Sequence, residues 1–373
     1  MEKIVNTFIW AAMLQGLLLG LTYLFSKKYR SHSNRILGFL LLALVFEAFT
    51  MVPVSQIGTY STNGYFNLPE VKLLFPILIL HYVLEKVGRT QSYRRFLNLH
   101  YFLGFLFISI TLFNILLFGF RGLDIFQVFA FHRIETVFMV MQYYAFFLTV
   151  AAITISIGET RRYTYLVQST HSDLDLLQIR WLWQFIFSII PIILVWGLEL
   201  VRIARGGTGP SAFASLTWIL LIIFVYFLSY KAYQQKGPLE KVASPAEPER
   251  NTRATAGKPS EEDYAEMGLR LKAYVEAHKP YLRHNLTIYD LGREMHESPR
   301  WISACINRYF GQNFAEWINH FRVEEAMNKL QDPAFGHLSL EGIGSESGFK
   351  SRSAMYAAFK KETGRSPGHF RPE

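Results

Sequence analysis

The sequence predicts an all-α protein: a seven-helix transmembrane bundle, a flexible linker, then a domain with two helix-turn-helix motifs. Three observations carry this. Apolar runs near span length recur through residues 1–236. A stretch rich in proline and polar residues follows at 237–260, with no aromatic side chain. From there to residue 373, apolar residues return at helical spacing among ordinary surface charges.

Hydrophobic residues make up 51% of the 373 and charged ones 18%, a ratio that averages over two unlike parts. The net charge of +9 is also divided unequally. Residues 261–373 hold 15 Lys+Arg against 16 Asp+Glu, so any nucleic-acid argument must rest on local patches there. The basic excess belongs to the loops and linker of the first 260 residues. A lone cysteine, Cys305, excludes an intramolecular disulfide and a multi-cysteine zinc site.

A hydrocarbon core of roughly 30 Å needs about 20 apolar residues in a helix. Candidate spans lie at 6–25, 34–52, 71–87, 97–118, 134–157, 181–201 and 212–230. The first is read as a retained span, because cations follow it and no small-residue cleavage site does. The third is the weakest, interrupted by Pro76, His81 and Glu85. Lysine and arginine favour the cytoplasmic side. Lys27, Lys28, Arg30 and Arg35 mark one loop, Lys86, Arg89, Arg94 and Arg95 the next, and Arg161, Arg162 and Arg180 a third. Of the alternate loops, 53–70 has no Lys or Arg, 119–133 has Arg121 and Arg133, and 202–211 has Arg202 and Arg205, so the first set is the richer. The N-terminus is therefore expected outside and, after seven crossings, the C-terminus inside.

Ionisable groups within spans are costly and count as candidates for function. Glu47, Glu135 and Glu199 fall toward the outer side, and His81 lies deeper on the third span. Two readings stand side by side. These residues line an outward pocket for a cation or amine ligand, or they are interfacial caps plus one satisfied buried acid. Enzyme and cofactor signatures are missing. The span 212–230 has no lysine for a retinal Schiff base, and no H-E-x-x-H or G-x-S-x-G occurs. Arg205-Gly206-Gly207-Thr208-Gly209 lacks the phosphate-loop lysine. No catalytic residue, cofactor or metal is expected.

The segment 237–260 carries Pro238, Pro245, Pro248 and Pro259 and too little apolar surface to offset its ordering entropy, so it reads as a tether. Beyond it, Thr287 is read as N-cap of a helix with Ile288, Leu291 and Met295 on one face. His296-Glu297-Ser298 forms the turn, Ser298 caps the next helix, and Pro299 takes its first position. Trp301, Ile302 and Ile306 turn inward, leaving Arg300, Ser303, Ala304 and Asn307 outward until Gly311 stops the helix. A connector at 314–330 buries Phe314, Ile318, Phe321, Ala326 and Leu330. The second unit repeats the pattern. Ser339 caps, Ser347-Gly348-Phe349 turns, a helix over 351–362 buries Met355 and Phe359, and Thr363-Gly364 ends it. Cations gather around these second helices, where one would enter a major groove and its flanks would meet phosphate.

Gly348-Phe349-Lys350-Ser351-Arg352-Ser353, then Phe359-Lys360-Lys361-Glu362-Thr363-Gly364-Arg365-Ser366-Pro367 and Phe370-Arg371, closely resembles the signature of AraC-type transcription regulators. Leu291-Gly292, Ser298-Pro299-Arg300-Trp301-Ile302-Ser303, Gly311, Arg322 and Ala326 extend the resemblance over about 280–371. It implies two motifs reading adjacent major grooves on one face of double-stranded DNA. The DNA-contacting set is then Arg300, Trp301, Ser303, Asn307 and Arg308 in the first unit. In the second it is Lys350, Ser351, Arg352, Ser353, Tyr356, Lys360, Lys361 and Arg365. Ala304, Asn307, Ala357 and Gly344 depart from the family pattern, so a homodimer or tandem sites are expected to supply affinity. The first half resembles, in layout, the multi-span sensor modules of membrane-bound bacterial AraC-type proteins. That implies a multi-pass protein of the bacterial cytoplasmic membrane, surrounded by lipid, whose embedded half senses an external or membrane signal. A transporter-like protein with a regulatory head, and a head acting as a protein-interaction module, are the competing readings.

Overall fold

A helix stands at each of the seven apolar runs in the computed structural model, which describes residues 2–29, 31–51, 69–121, 131–172, 179–207, 211–234 and 259–371. They are α1 (Glu2–Phe25), α2 (His32–Met51), α3 (Leu74–Lys86), α4 (Arg94–Arg121), α5 (Phe131–Thr170), α6 (Ile179–Ala204) and α7 (Ala212–Gln234). Six more follow among the described residues: α8 (Glu261–His278), α9 (Ile288–Met295), α10 (Pro299–Cys305), α11 (Phe314–Gln331), α12 (Leu340–Glu346) and α13 (Arg352–Thr363). No strand occurs among the described residues, so the all-α expectation holds for them. The linker read at 237–260 lies outside them except for Pro259 and Ser260, as does nearly all of the cation-free loop at 53–70.

The chain divides into two compact units. Residues 1–160 and 182–241 form one, and 161–181 with 242–373 form the other. The second thus takes in a stretch that the sequence assigns to the first domain.

Among the described residues, three helical segments are long and apolar enough to cross a membrane: Thr90–Leu117, Thr136–Thr170 and Arg180–Ala204. Trp10–Phe25 and Ala212–Leu228 are shorter apolar stretches. Seven spans are therefore not established in the described residues, and α3 is the shortest of the seven helices. Its 13 residues rise only about 20 Å at 1.5 Å each. The 3-10 turn Pro69–Leu73 adds about 10 Å more. Eight residues from Pro76 to Leu84 are buried, so α3 is packed among protein rather than exposed along its length. Helices α1 and α2 approach closely through two glycines. A side chain at Gly38 would come within 3.0 Å of the Gly20 carbonyl oxygen, and one at Gly20 within 3.2 Å of that of Gly38. Small residues at such a crossing let backbones meet where dispersion packing supplies the attraction.

The second unit has two apolar cores that share α11. One gathers Met267, Leu271, Val275, Leu291, Ile302, Ile306 and Trp317, and the other Val323, Ala326, Leu330, Ile343, Phe349, Met355 and Phe359. Residues Phe314, Trp317, Ile318 and Phe321 of α11 enter the first core, and Val323, Ala326 and Leu330 the second. Between these sets lies Arg322, only 1% exposed. Its Nε donates to the Tyr281 carbonyl at 2.8 Å, and Nη2 donates to the Arg283 carbonyl at 2.8 Å and to Ser172 Oγ at 3.1 Å. Ser172 is tied in turn, its hydroxyl donating to the Leu286 carbonyl at 2.8 Å. The guanidinium also lies 6.0 Å from the centre of the Phe349 ring. Beside it Gly348 has φ +88, and a side chain there would fall 2.2 Å from the Tyr281 oxygen. Only glycine satisfies both conditions.

Cys305 reports on this arrangement, being the chain's one cysteine and fully buried. Burial, helped by the Glu297 charge, pushes its thiol up to about 12. Alkylation near neutral pH should therefore require opening of the first core. Replacing Arg322 by Ala strands carbonyls that accepted from a charged donor, a loss of about 3 kcal/mol. Iodoacetamide should then label Cys305 of the full chain roughly a hundredfold faster in Arg322→Ala than in the parent. Equal labelling rates would show that the arginine does not hold this unit together.

Candidate nucleic-acid interface

Each helix-turn-helix is built by local chemistry that the sequence announces. Thr287 caps α9 with a reciprocal pair: the Asp290 amide donates to Thr287 Oγ1 at 3.3 Å, and the Thr287 amide to Asp290 Oδ2 at 2.9 Å. His296 closes the helix with φ 56, a conformation that non-glycine residues seldom adopt. Ser298 then accepts from the Trp301 amide at 3.2 Å, with Pro299 leading α10. In the second unit Ser339 accepts from the Gly342 amide and Ser351 from the Ala354 amide, each at 3.1 Å. Gly364, φ 73, ends α13. The glycine at 344 is the one that departs from the family pattern, and here its small size matters. A β-carbon would meet Met355 Sδ at 2.8 Å.

After Cys305 the first recognition helix widens into a π-turn, Ile306–Phe310. Asn307 adds a side-chain bond there: its Nδ2 donates to the Ser303 carbonyl at 2.8 Å, alongside the Ile306 amide. Gly311, φ 67, then ends the segment.

The structure separates most of the sequence-read contact residues by what holds them. Arg300, Lys350, Lys360 and Arg365 are exposed. The first three have no ion pair among the described residues, and Arg365 hydrogen-bonds His369. Arg352 is pre-arranged, lying 5.1 Å from the Tyr356 ring centre and donating to its hydroxyl at 3.2 Å, while Ser351 and Ser353 share a 3.0 Å hydrogen bond. Two other cations are engaged by acids. Arg308 Nε donates to Glu261 Oε1 at 3.0 Å, and Lys361 pairs with Glu316. The Arg308 guanidinium holds the Glu261 carboxyl below its ordinary range. Burial works against ionisation of Glu316, yet the Lys361 ammonium and the Asn313 amide outweigh it and leave that carboxyl lowered too. Trp301 is half-buried, its ring 5.0 Å from that of Tyr264, and so serves the first core rather than standing free.

The residues read as a ligand pocket each find their own neighbours in the first unit. Buried Glu47 lies 3.3 Å from Lys72 Nζ and lines a cavity of about 30 Å³ with Ala12, Met13 and Trp218. His81 Nδ1 is 3.0 Å from Tyr101 Oη. Glu199 is bonded by Arg202 and by Ser211. The side chain of Glu135 lies outside the described residues. Lys72 was not foreseen as the partner of Glu47, because 25 positions separate them in the chain. Glu316 had a legible signal, the capping box Asn313-x-x-Glu316.

Comparison with known proteins bears on the second unit. A family model described as a helix-turn-helix domain matches residues 291–373. An uncharacterized HTH-type transcriptional regulator from Bacillus subtilis (strain 168), YtdP, is 24% identical over 88 residues, covering 24% of this chain and 11% of that protein. No solved structure matches. The C-terminal region thus matches a helix-turn-helix domain over residues 291–373, while the chain spans a small part of the relative's length.

If phosphates take Arg308 and Lys361, their acidic partners compete with DNA. Glu261→Gln and Glu316→Gln should each tighten binding to any duplex several-fold, and the logarithmic salt slope should change by at most about one unit. Gel shifts of the full chain over a salt series test this. Weaker binding in both variants would place these cations away from DNA.

Proposed function

We propose that this chain is a membrane-tethered, sequence-specific DNA-binding transcription regulator whose first unit senses a signal from outside or within the membrane. The observation that carries the reading is the pair of capped recognition helices in the second unit. Arg300, Ser303 and Asn307 on one, and Arg352, Ser353, Tyr356 and Lys360 on the other, share their faces with no carboxylate. Hydroxyl, amide and guanidinium groups on a helix are the chemistry that reads base edges in a major groove. The resemblance of the motifs and the family match support the same assignment. Three helices of membrane length, together with the loop cations, support tethering with the second unit on the cytoplasmic side.

The domain's near-zero net charge gives the binding a particular character. With 15 Lys+Arg against 16 Asp+Glu in 261–373, non-specific attraction to duplex is weak, so a few side chains must supply most of the affinity. Exposed Ala357 removes one further contact from the second recognition helix and favours binding as a dimer or at tandem sites. That same alanine gives some weight to a protein-interaction role for the head, which absence of selective DNA binding would favour.

The test uses the full chain in lipid nanodiscs with fragments of its source genome. Specific fragments should be retained over bulk DNA. Arg300→Ala and Arg352→Ala should each cost roughly 1–3 kcal/mol and relax preference at one base pair, whereas Lys350→Ala should weaken all sequences alike. Retention of no fragment above bulk would end the regulator reading. Topology is checked separately. Reporters fused after Tyr230 should read cytoplasmic and those within 53–70 external, and an external reading at Tyr230 would exclude access to DNA.

A further inference from the structure

We propose that His32, His81 and Glu85 of the first unit form a binding site for one divalent transition-metal ion, with Zn²⁺ the best chemical fit. The three side chains come from separate places in the sequence. His32 is the first residue of α2, and His81 and Glu85 stand one turn apart on α3. Spacing of i and i+4 puts the last two on one helical face. Each offers a ligand atom, and these atoms lie within 4.8 Å of one another. The imidazole rings of His32 and His81 are 5.7 Å apart between centres, at 66° to each other. Two imidazoles on one tetrahedral ion, with bonds of about 2 Å, have ring centres on the order of 5 Å apart. Only a small side-chain adjustment therefore separates this cluster from a coordinating one.

The outer partners match what a metal site needs. His81 Nδ1 lies 3.0 Å from Tyr101 Oη, so a proton on Nδ1 can be donated to that oxygen while Nε2 keeps its lone pair for an ion. A ligating histidine commonly has its second nitrogen engaged in this way, which sets its tautomer and its orientation. Thr90 Oγ1 donates to Glu85 Oε2 at 2.9 Å, leaving Oε1 as the ligand oxygen. Two imidazole nitrogens and one carboxylate oxygen make a borderline donor set. It suits Zn²⁺, Co²⁺ or Ni²⁺ better than Ca²⁺ or Mg²⁺. With three protein ligands a fourth position stays open for water. His32 is exposed, so an ion reaches the cluster without crossing packed side chains. Once bound, it links the start of α2 to the last turns of α3. The single cysteine lies in the other unit and is not among the donors.

The site stands apart from the DNA reading, and its test has a separate readout. The full chain, purified in detergent without a histidine tag and stripped by chelator, is titrated with Co²⁺ and then Zn²⁺. One Co²⁺ per chain should bind and give visible ligand-field bands of tetrahedral intensity, which one equivalent of Zn²⁺ bleaches. His32→Gln alters an exposed side chain and should remove the bands, as should Glu85→Gln. Tyr101→Phe keeps the ring and deletes the outer oxygen, and should weaken binding roughly tenfold or more. If the parent shows no bands, or if the His32→Gln/Glu85→Gln double variant binds Co²⁺ as the parent does, the site is refuted.

Discussion

A guanidinium taken out of water is tolerated only where its five N–H groups find acceptors. Arg322 meets that condition with main-chain carbonyls from the segment before α9 and with both oxygens of Ser172. Much else in the second unit follows from this one requirement. The carbonyls of Tyr281 and Arg283 must turn toward α11, which positions the 3-10 turn and bend leading into the Thr287 cap. The Ser347-Gly348-Phe349 turn must pass within contact of the same Tyr281 oxygen, which restricts residue 348 to glycine. One side chain on the shared helix therefore fixes the entry to the first helix-turn-helix and the turn of the second. Hydrophobic packing fills both cores without direction, whereas the arginine supplies direction between them.

How much of this was legible depends on whether the determinant is local. Thr287, Ser298, Ser339, Gly311 and Gly364 act within one helical turn of their own positions, and the sequence places each of them correctly. Apolar spacing likewise locates α9 to α13 within a residue or two. Arg322 was visible as part of a family signature, but nothing local says that it is buried or which carbonyls it meets. The widened turn at 306–310 was missed for a similar reason. Ile306-Asn307-Arg308 continues the helical pattern, and nothing local in it marks the extra residue per turn.

The first unit shows the limit of hydropathy as a guide. Apolar runs locate seven helices, yet they do not report whether a run faces lipid or protein. The third run is buried along Pro76–Leu84 and is split by a 3-10 turn, so its hydrophobicity comes from core packing as much as from any span. Candidate polar residues were grouped by depth, which is all a sequence can offer. In the structure they are grouped by neighbour instead. His81 meets His32 and Tyr101, and Glu47 meets Lys72, pairings that depend on how α2, α3 and α4 cross.

The Arg308–Glu261 pair has a thermodynamic consequence of its own. While the pair is intact, Glu261 titrates below its ordinary value of 4.5. A phosphate that took Arg308 would return the carboxyl to that value, so the complex would hold more protons than the free domain between the two. Duplex association would then be coupled to proton uptake only below about pH 4.5, with affinity rising as pH falls through that interval. At neutral pH Glu261 stays ionised in both states. There the exchange of partners is an exchange of one anion for another, governed by geometry and salt alone.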